Sequence, residues 1–253
     1  MPEGHVCCGR PLYDYGFLDV AERYLRRTLA QLRDEIRAGT PIVGMEPSCL
    51  AVFKDELEKI LPHDDDAKRL ARNAYHFSEF FGEFDIDPPR LDRRAIVWGH
   101  CHHKATGGME AEQALLEKMG LDVRQVSGGC CGLAGSWGFE SGHHDLSMSI
   151  GENALLPAVR EAQPDTIVIA NGFSCKTQIE QAGTGRRALH VGQVMKMALD
   201  YGASGHAGDP PAAPSYEVRP SPSTSRRTSR AAALAGATAV VALAGAACWK
   251  AVR

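Results

Sequence analysis

Between Leu18 and Ile36 the apolar side chains fall at Leu18, Ala21, Tyr24, Leu25, Leu29, Leu32 and Ile36, three and four apart. That spacing is the period of one helix face, so it predicts a helix over about 18–38, which Gly39 ends. A short apolar run, Pro41-Ile42-Val43-Gly44-Met45, then predicts a strand. It leads into the turn Glu46-Pro47-Ser48-Cys49 and a helix from about Leu50 to Leu61. The same order recurs twice. Ala95-Ile96-Val97-Trp98 runs into Gly99-His100-Cys101 and a helix through Leu115 and Met119, and Thr166-Ile167-Val168-Ile169-Ala170 runs into Asn171-Gly172-Phe173-Ser174-Cys175. Strands alternating with helices predict an α/β fold with parallel sheets and helices on both faces.

An internal repeat emerges when Cys7-Cys8-Gly9 is aligned with Cys130-Cys131-Gly132. Each is followed by an aromatic-Gly-Phe triplet (Tyr15-Gly16-Phe17; Trp137-Gly138-Phe139), a helix, an Ile-Val strand and a Ser-Cys turn. The simplest account is two related Rossmann-like lobes, one over 1–89 and one over 90–201, divided near Asp85-Ile86-Asp87-Pro88-Pro89. Only six residues precede the first Cys-Cys pair, so the first lobe reads as truncated at its N-terminus.

From 202 to 230 the chain turns to Pro, Ser, Ala and Arg without periodicity, the composition of a disordered linker. Ala231–Cys248 is uncharged and flanked by Arg226, Arg227, Arg230, Lys250 and Arg253. Its length suits a bilayer span, but it is rich in alanine and glycine and holds only two leucines, so a transmembrane helix and a loose apolar helix are both open readings.

Composition narrows the function. The 28 basic and 31 acidic side chains give a formal charge of -3, and no recognition helix or basic-aromatic strip is present, which argues against a nucleic-acid partner. No export signal opens the chain, so a cytoplasmic location is expected, with membrane association through the C-terminal apolar segment as an addition. In a reducing compartment, clustered cysteines point to metal or redox chemistry rather than structural disulfides. No P-loop or Gly-x-Gly-x-x-Gly fingerprint occurs, so no flavin or nicotinamide site is expected in the chain itself.

Cysteine thiolates are soft anionic ligands suited to iron-sulfur clusters. In the second lobe, Cys101, Cys130, Cys131 and Cys175 each sit just beyond a predicted strand or in a glycine-rich turn. Residues so placed converge at one edge of a parallel sheet, where ligands bind. The first lobe offers Cys7, Cys8 and Cys49 by the same logic. Glycines beside each pair allow a cluster to approach the backbone closely. His100, His102, His103, His143 and His144 crowd the second set. His102 and His103 are expected to begin a helix and face solvent, with ligation as the alternative. Lys104 is read either as a charge-neutralising group or as a solvated helix residue, and Trp137, Phe139, Tyr15 and Phe17 as packing or shielding. Asp64-Asp65-Asp66 is read as a solvated loop or a helix start.

Over about Val6 to Leu199 these motifs resemble the cysteine-rich CCG domain family, found in the cysteine-rich subunit of heterodisulfide reductase and in iron-sulfur subunits of glycolate, lactate and glycerol-3-phosphate oxidising systems. The segments Gly99-His100-Cys101-His102-His103-Lys104, Gly129–Ser136 and Gly172-Phe173-Ser174-Cys175 look most like the C-terminal part of fusions that also carry a flavin-binding oxidase domain and a ferredoxin-like domain. The resemblance implies an iron-sulfur electron-transfer module. FAD would lie only on a partner or missing domain, the partners would be a flavin-containing dehydrogenase and a ferredoxin-like iron-sulfur domain, and the acceptor a quinone or other carrier. One departure matters: the heterodisulfide reductase motif closes with Cys-x-x-Cys, whereas Glu46 and Gly172 stand at the earlier positions here. Double noncubane clusters are therefore not carried over, and an ordinary 4Fe-4S cluster or a single metal ion is the expectation.

Two other readings compete. Four cysteines also suit tetrahedral zinc in a structural module, although no close Cys-x2-Cys knuckle occurs. Cys130-Cys131 acting as a thiol-disulfide pair is disfavoured by the strain of a vicinal disulfide.

Overall fold

Two parallel sheets carry the candidate ligands. The computed structural model describes residues 6–206, all within the unit Met1–Glu217. The expected linker beyond His206 and the apolar stretch Ala231–Cys248 lie outside the described residues. Among the described residues no helix is long and apolar enough to cross a membrane.

The first sheet pairs β1 (Ile42–Gly44) with β2 (Ala74–His76), in register Ile42 to Ala74. The second has the order β4-β3-β5, with β3 at Arg94–Trp98, β4 at Asp122–Val126 and β5 at Ile167–Ala170. Every pairing is parallel, and Leu189 adds a parallel bridge to Ile169 at the edge. The chain is α/β as its alternating pattern requires.

Strand β3 shows why the second sheet is covered on both sides. Ala95 and Val97 pack with Leu116, Met119, Ile167, Ile169 and Val194 on one face; Ile96 and Trp98 pack with Leu155, Leu156, Val159 and Val168 on the other. Successive residues of a strand point to opposite faces, so a run apolar at every position can only be satisfied between two helical layers. A third cluster joins Leu25, Leu29, Leu32 and Ile36 to Leu50, Leu57 and Leu70, next to the first sheet.

Three predicted helices are subdivided. The 18–38 segment is Leu18–Gln31 followed by Arg33–Ala38, with the break at Leu32. The 50–61 helix starts earlier, at Pro47, and widens into a π turn at Val52–Glu56 before Leu57–Ile60. The helix after Cys101 stops at Thr106 and a second runs over Glu110–Lys118, because Gly108 takes φ +73 and a side chain at Gly107 would collide with Glu79. Asp64 is a helix cap: its carboxylate accepts from the N–H groups of Asp66 and Ala67, opening Asp65–Asn73.

Candidate metal centre

Four of the turns that follow strands carry cysteines. β1 leads into Cys49, β3 into Cys101, β4 into Cys130-Cys131 and β5 into Cys175. Parallel strands end at the same edge, so each turn delivers its side chain to one side of its sheet. Cys7 and Cys8 arrive from the segment ahead of the first helix. All seven thiols line a single cavity of about 900 Å3. Two separate sites, one per lobe, were expected; the structure instead opens both thiol sets onto one space. Among the described residues all seven cysteines are free.

Within that wall six of the seven thiols fall into two hydrogen-bonded groups. Cys8 bonds to Cys49, while Cys101, Cys130, Cys131 and Cys175 form a chain through Cys101–Cys130, Cys130–Cys131 and Cys131–Cys175. Each group favours one thiolate. Cys8 is held below the ordinary thiol range chiefly by the Cys49 hydrogen bond, and Cys130 by those from Cys101 and Cys131. The donors Cys49, Cys101 and Cys131 are pushed up by the same bonds and by burial.

The Cys-Cys-Gly repeat has a common physical form. The N–H of Gly9 donates to Cys7 Sγ at 3.4 Å and that of Gly132 to Cys130 Sγ at 3.3 Å. One residue on, the amide of Arg10 serves Cys8 and that of Leu133 serves Cys131. Both glycines adopt positive φ, +74 and +100, which aims successive amides inward. A Cβ on Gly132 would collide with the Ser147 carbonyl.

The two departures from Cys-x-x-Cys have structural reasons. Glu46 accepts from Ser48 N–H at 3.2 Å and Ser48 Oγ at 2.8 Å through one oxygen, and from Phe173 N–H at 2.8 Å through the other. Gly172 lies against His100, whose ring any side chain at 172 would strike.

Histidines divide differently from expectation. His103 does not face solvent: it is 2% exposed and stacks on His76 with ring centroids 3.8 Å apart. His102 is half-buried in the cavity wall, and its Nδ1 has no hydrogen-bond partner among the described residues. His100 Nδ1 accepts from the His102 N–H at 3.2 Å, which leaves its proton on Nε2, 3.3 Å from Ser174 Oγ. Burial pulls His100 and His103 down to about 4, so both rings are neutral at pH 7, the form that binds metals. The ligand atoms of His100, Cys101 and His102 lie within 4.8 Å of one another. His143 stacks on Trp137 and is not in the cavity wall, nor is the exposed His144. Lys104 neither faces the cavity nor lies free in solvent: its ammonium binds the Gly128 and Gly129 carbonyls, fastening the turn that precedes the cysteine pair.

Trp137, Phe139 and Tyr15 line the cavity, whereas Phe17 is outside it and exposed. Sequence reasoning passed over Arg10, which the fold buries to 7% exposure in the cavity wall. Its position directly after Cys8-Gly9 was the available signal. It also passed over Glu112, fully buried, whose Oε1 accepts from Asn171 Nδ2 at 2.9 Å. Asn171 Oδ1 in turn accepts from the Val191 N–H, so the turn leading to Cys175 is pinned from both sides.

Residues 1–54 and 99–180 match the cysteine-rich domain, CCG. The chain is 28% identical over 185 residues to D-2-hydroxyglutarate dehydrogenase of Escherichia coli (strain K12), covering 71% of this chain and 18% of that protein. It is 26% identical over 200 residues to a subunit of anaerobic glycerol-3-phosphate dehydrogenase of the same strain, covering 76% and 49%. Lactate utilization protein A of Bacillus subtilis (strain 168) aligns at 28% over 149 residues, covering 54% and 60%. The chain therefore spans less than a fifth of the first of these and about half of the second. These matches bear out the resemblance carried by the Cys-Cys-Gly and Ser-Cys segments.

Proposed function

Because this chain belongs to the cysteine-rich CCG domain family, we propose that it is the iron-sulfur electron-transfer module of a flavin-linked oxidoreductase. The observation that carries the proposal is the convergence of seven free thiols from both halves of the chain on one cavity. Cys101, Cys130, Cys131 and Cys175 would hold one cluster, of 4Fe-4S type, and Cys7, Cys8 and Cys49 would serve a second centre. When bound, a cluster supplies reversible one-electron storage. The chain's own groups prepare for it: paired amides donate to sulfur, and the aromatic and apolar wall of Trp137, Phe139 and Leu133 limits water, two of the means by which proteins set cluster potentials.

The four sulfurs are not preassembled for one tetrahedral zinc ion. Four thiolates on zinc, each about 2.3 Å from the metal, must lie about 3.8 Å from one another. Here the four sulfurs form an open chain, and no three of them come within 4.8 Å of one another. The group that does is His100, Cys101 and His102, which supports a mononuclear ion there as the second reading.

The names of the relatives favour oxidation of a 2-hydroxy acid or of glycerol 3-phosphate. In this proposal the oxidation takes place at FAD on a partner flavoprotein or another domain, a ferredoxin-like domain relays electrons, and a quinone or another carrier accepts them. The test is iron and acid-labile sulfide in anaerobically purified full chain, with visible absorption that bleaches on reduction by dithionite. Folded protein lacking both overturns the proposal, and a single zinc or iron ion without sulfide establishes the second reading.

A further inference from the structure

Glu112 is the only buried acidic side chain among the described residues, with 0% exposure. Its Oε1 accepts from Asn171 Nδ2 at 2.9 Å, and its Oε2 has no hydrogen-bond partner among the described residues. A buried carboxyl with half of its acceptor capacity unused costs stability. A leucine, like the neighbouring Leu115 and Leu116 that pack in the core, would fill the same helix position without that cost. What the carboxyl does that packing cannot is fix one amide at the end of β5.

Asn171 is the residue at which β5 ends and the turn to Cys175 begins. Its Oδ1 accepts from the Val191 N–H at 2.9 Å, so one side chain joins the helices Glu110–Lys118 and Val191–Tyr201 to that turn. Cys175 follows in the first turn of the helix Phe173–Gln181, 2% exposed, with its thiol bonded to that of Cys131. The first half of the repeat lacks this pin. Aligning Ser48-Cys49 with Ser174-Cys175 places Met45 opposite Asn171, and Met45 has no side-chain amide to offer a carboxylate. Glu46 binds both Ser-Cys turns, whereas the hydrogen bond of Glu112 leads to the Cys175 turn alone.

Resting on the iron-sulfur reading above, we infer that Glu112 is a positioning residue of the centre at Cys101, Cys130, Cys131 and Cys175: through Asn171 it fixes the turn that sets the Cys175 thiol against Cys131. A metal-binding side chain has to be held in place by the groups behind it, and a turn free to shift presents the same thiol over a wider range of positions. Cys175 ends the thiol chain, so its place depends on its own turn more than that of Cys131, which is bonded on both sides.

The experiment compares the anaerobically purified full chain as wild type, Glu112→Leu, Glu112→Gln, Asn171→Ala and Cys49→Ser. Each is analysed for iron and sulfide, by EPR after dithionite reduction, and by iodoacetamide labelling with the modified cysteines mapped by mass spectrometry. Glu112→Leu keeps an apolar helix face but offers no acceptor, and the half-buried Asn171 can then turn its amide to water. That variant is expected to label at Cys175 at least about tenfold faster, the effect of one lost buried hydrogen bond on a local opening. It is also expected to lose the second centre's signal while retaining the signal that disappears in Cys49→Ser. Glu112→Gln, whose amide oxygen can accept from Asn171 as before, is expected to match wild type. Asn171→Ala gives the same readout as Glu112→Leu if the latter does not fold. Equal labelling of Cys49 and Cys175 with iron lost from both centres would show a general loss of packing and overturn the inference. Wild-type labelling and signals in Glu112→Leu and Asn171→Ala, or Glu112→Gln behaving as Glu112→Leu, would overturn it too, and all of these leave the cluster reading intact. Wild type without iron and sulfide overturns the cluster reading itself, and Cys175 labelling in the variants then still decides whether Glu112 holds the turn.

Discussion

The carboxylate of Glu46 accepts a 2.8 Å hydrogen bond from the backbone N–H of Phe173, 127 residues away, while its other oxygen caps Ser48. One side chain thus holds the two Ser-Cys turns, Ser48-Cys49 and Ser174-Cys175, in fixed relation. Glu46→Ala removes both caps and is expected to cost about 1 to 2 kcal/mol in urea unfolding, the range of a lost charged cap. Glu46→Gln keeps one carbonyl acceptor and is expected to fall between. A wild-type unfolding midpoint in Glu46→Ala would show that the turns are held by other means.

Gly132 and Gly129 provide an internal comparison. Gly132 has φ +100 and no room for a Cβ against the Ser147 carbonyl, whereas nothing lies within 4 Å of a Cβ on Gly129. Gly132→Ala is expected to lower stability by more than about 1 kcal/mol, from backbone strain alone, and to diminish bound iron. Gly129→Ala should stay within about 0.5 kcal/mol of wild type. Thermal melting by circular dichroism, with iron analysis of the same samples, distinguishes the two.

Glu112 predicts a pH dependence. Burial raises its pKa above the ordinary 4.5, against the opposing hydrogen bond from Asn171. The folded state therefore keeps a proton that the unfolded chain releases. The stabilising contribution is complete below the ordinary glutamate range and declines as pH rises through the raised value. Glu112→Gln, which holds the neutral form permanently, should flatten this part of the urea-midpoint profile, so that the variant gains on wild type as pH rises. Parallel profiles would show that Glu112 does not titrate differently in the two states.

Cysteine substitutions test how far the two thiol sets are independent. Cys131 bonds to both Cys130 and Cys175, whereas Cys49 bonds to Cys8. Cys131→Ser is expected to abolish the second centre and leave iron on the first; Cys49→Ser should do the reverse. Metal and sulfide analysis of each variant checks this, and complete loss of iron in either one would mean that the shared cavity binds its contents as a unit.

What the sequence determined by itself was local. The three- and four-residue spacing from Leu18 to Ile36 requires an amphipathic helix, and the apolar runs ending at Gly44, Trp98 and Ala170 require strands that deliver Cys49, Cys101 and Cys175 into turns, because a chain's short-range geometry follows its short-range pattern. Even there, the spacing did not mark the break at Leu32, and the stop at Thr106 came with the glycine pair Gly107-Gly108. β2 had no periodicity of its own: Ala74-Tyr75-His76 is a strand only because β1 offers it a ladder. Tertiary structure alone decided that seven thiols share one cavity, that His103 turns inward against His76, and that Arg10 lies in the cavity wall with one nitrogen unpartnered. A sequence displays a side chain's charge but not which distant element will cover it. The surroundings of Arg10 were set by Ser48 and Glu56, which meet it only when the helices carrying them pack.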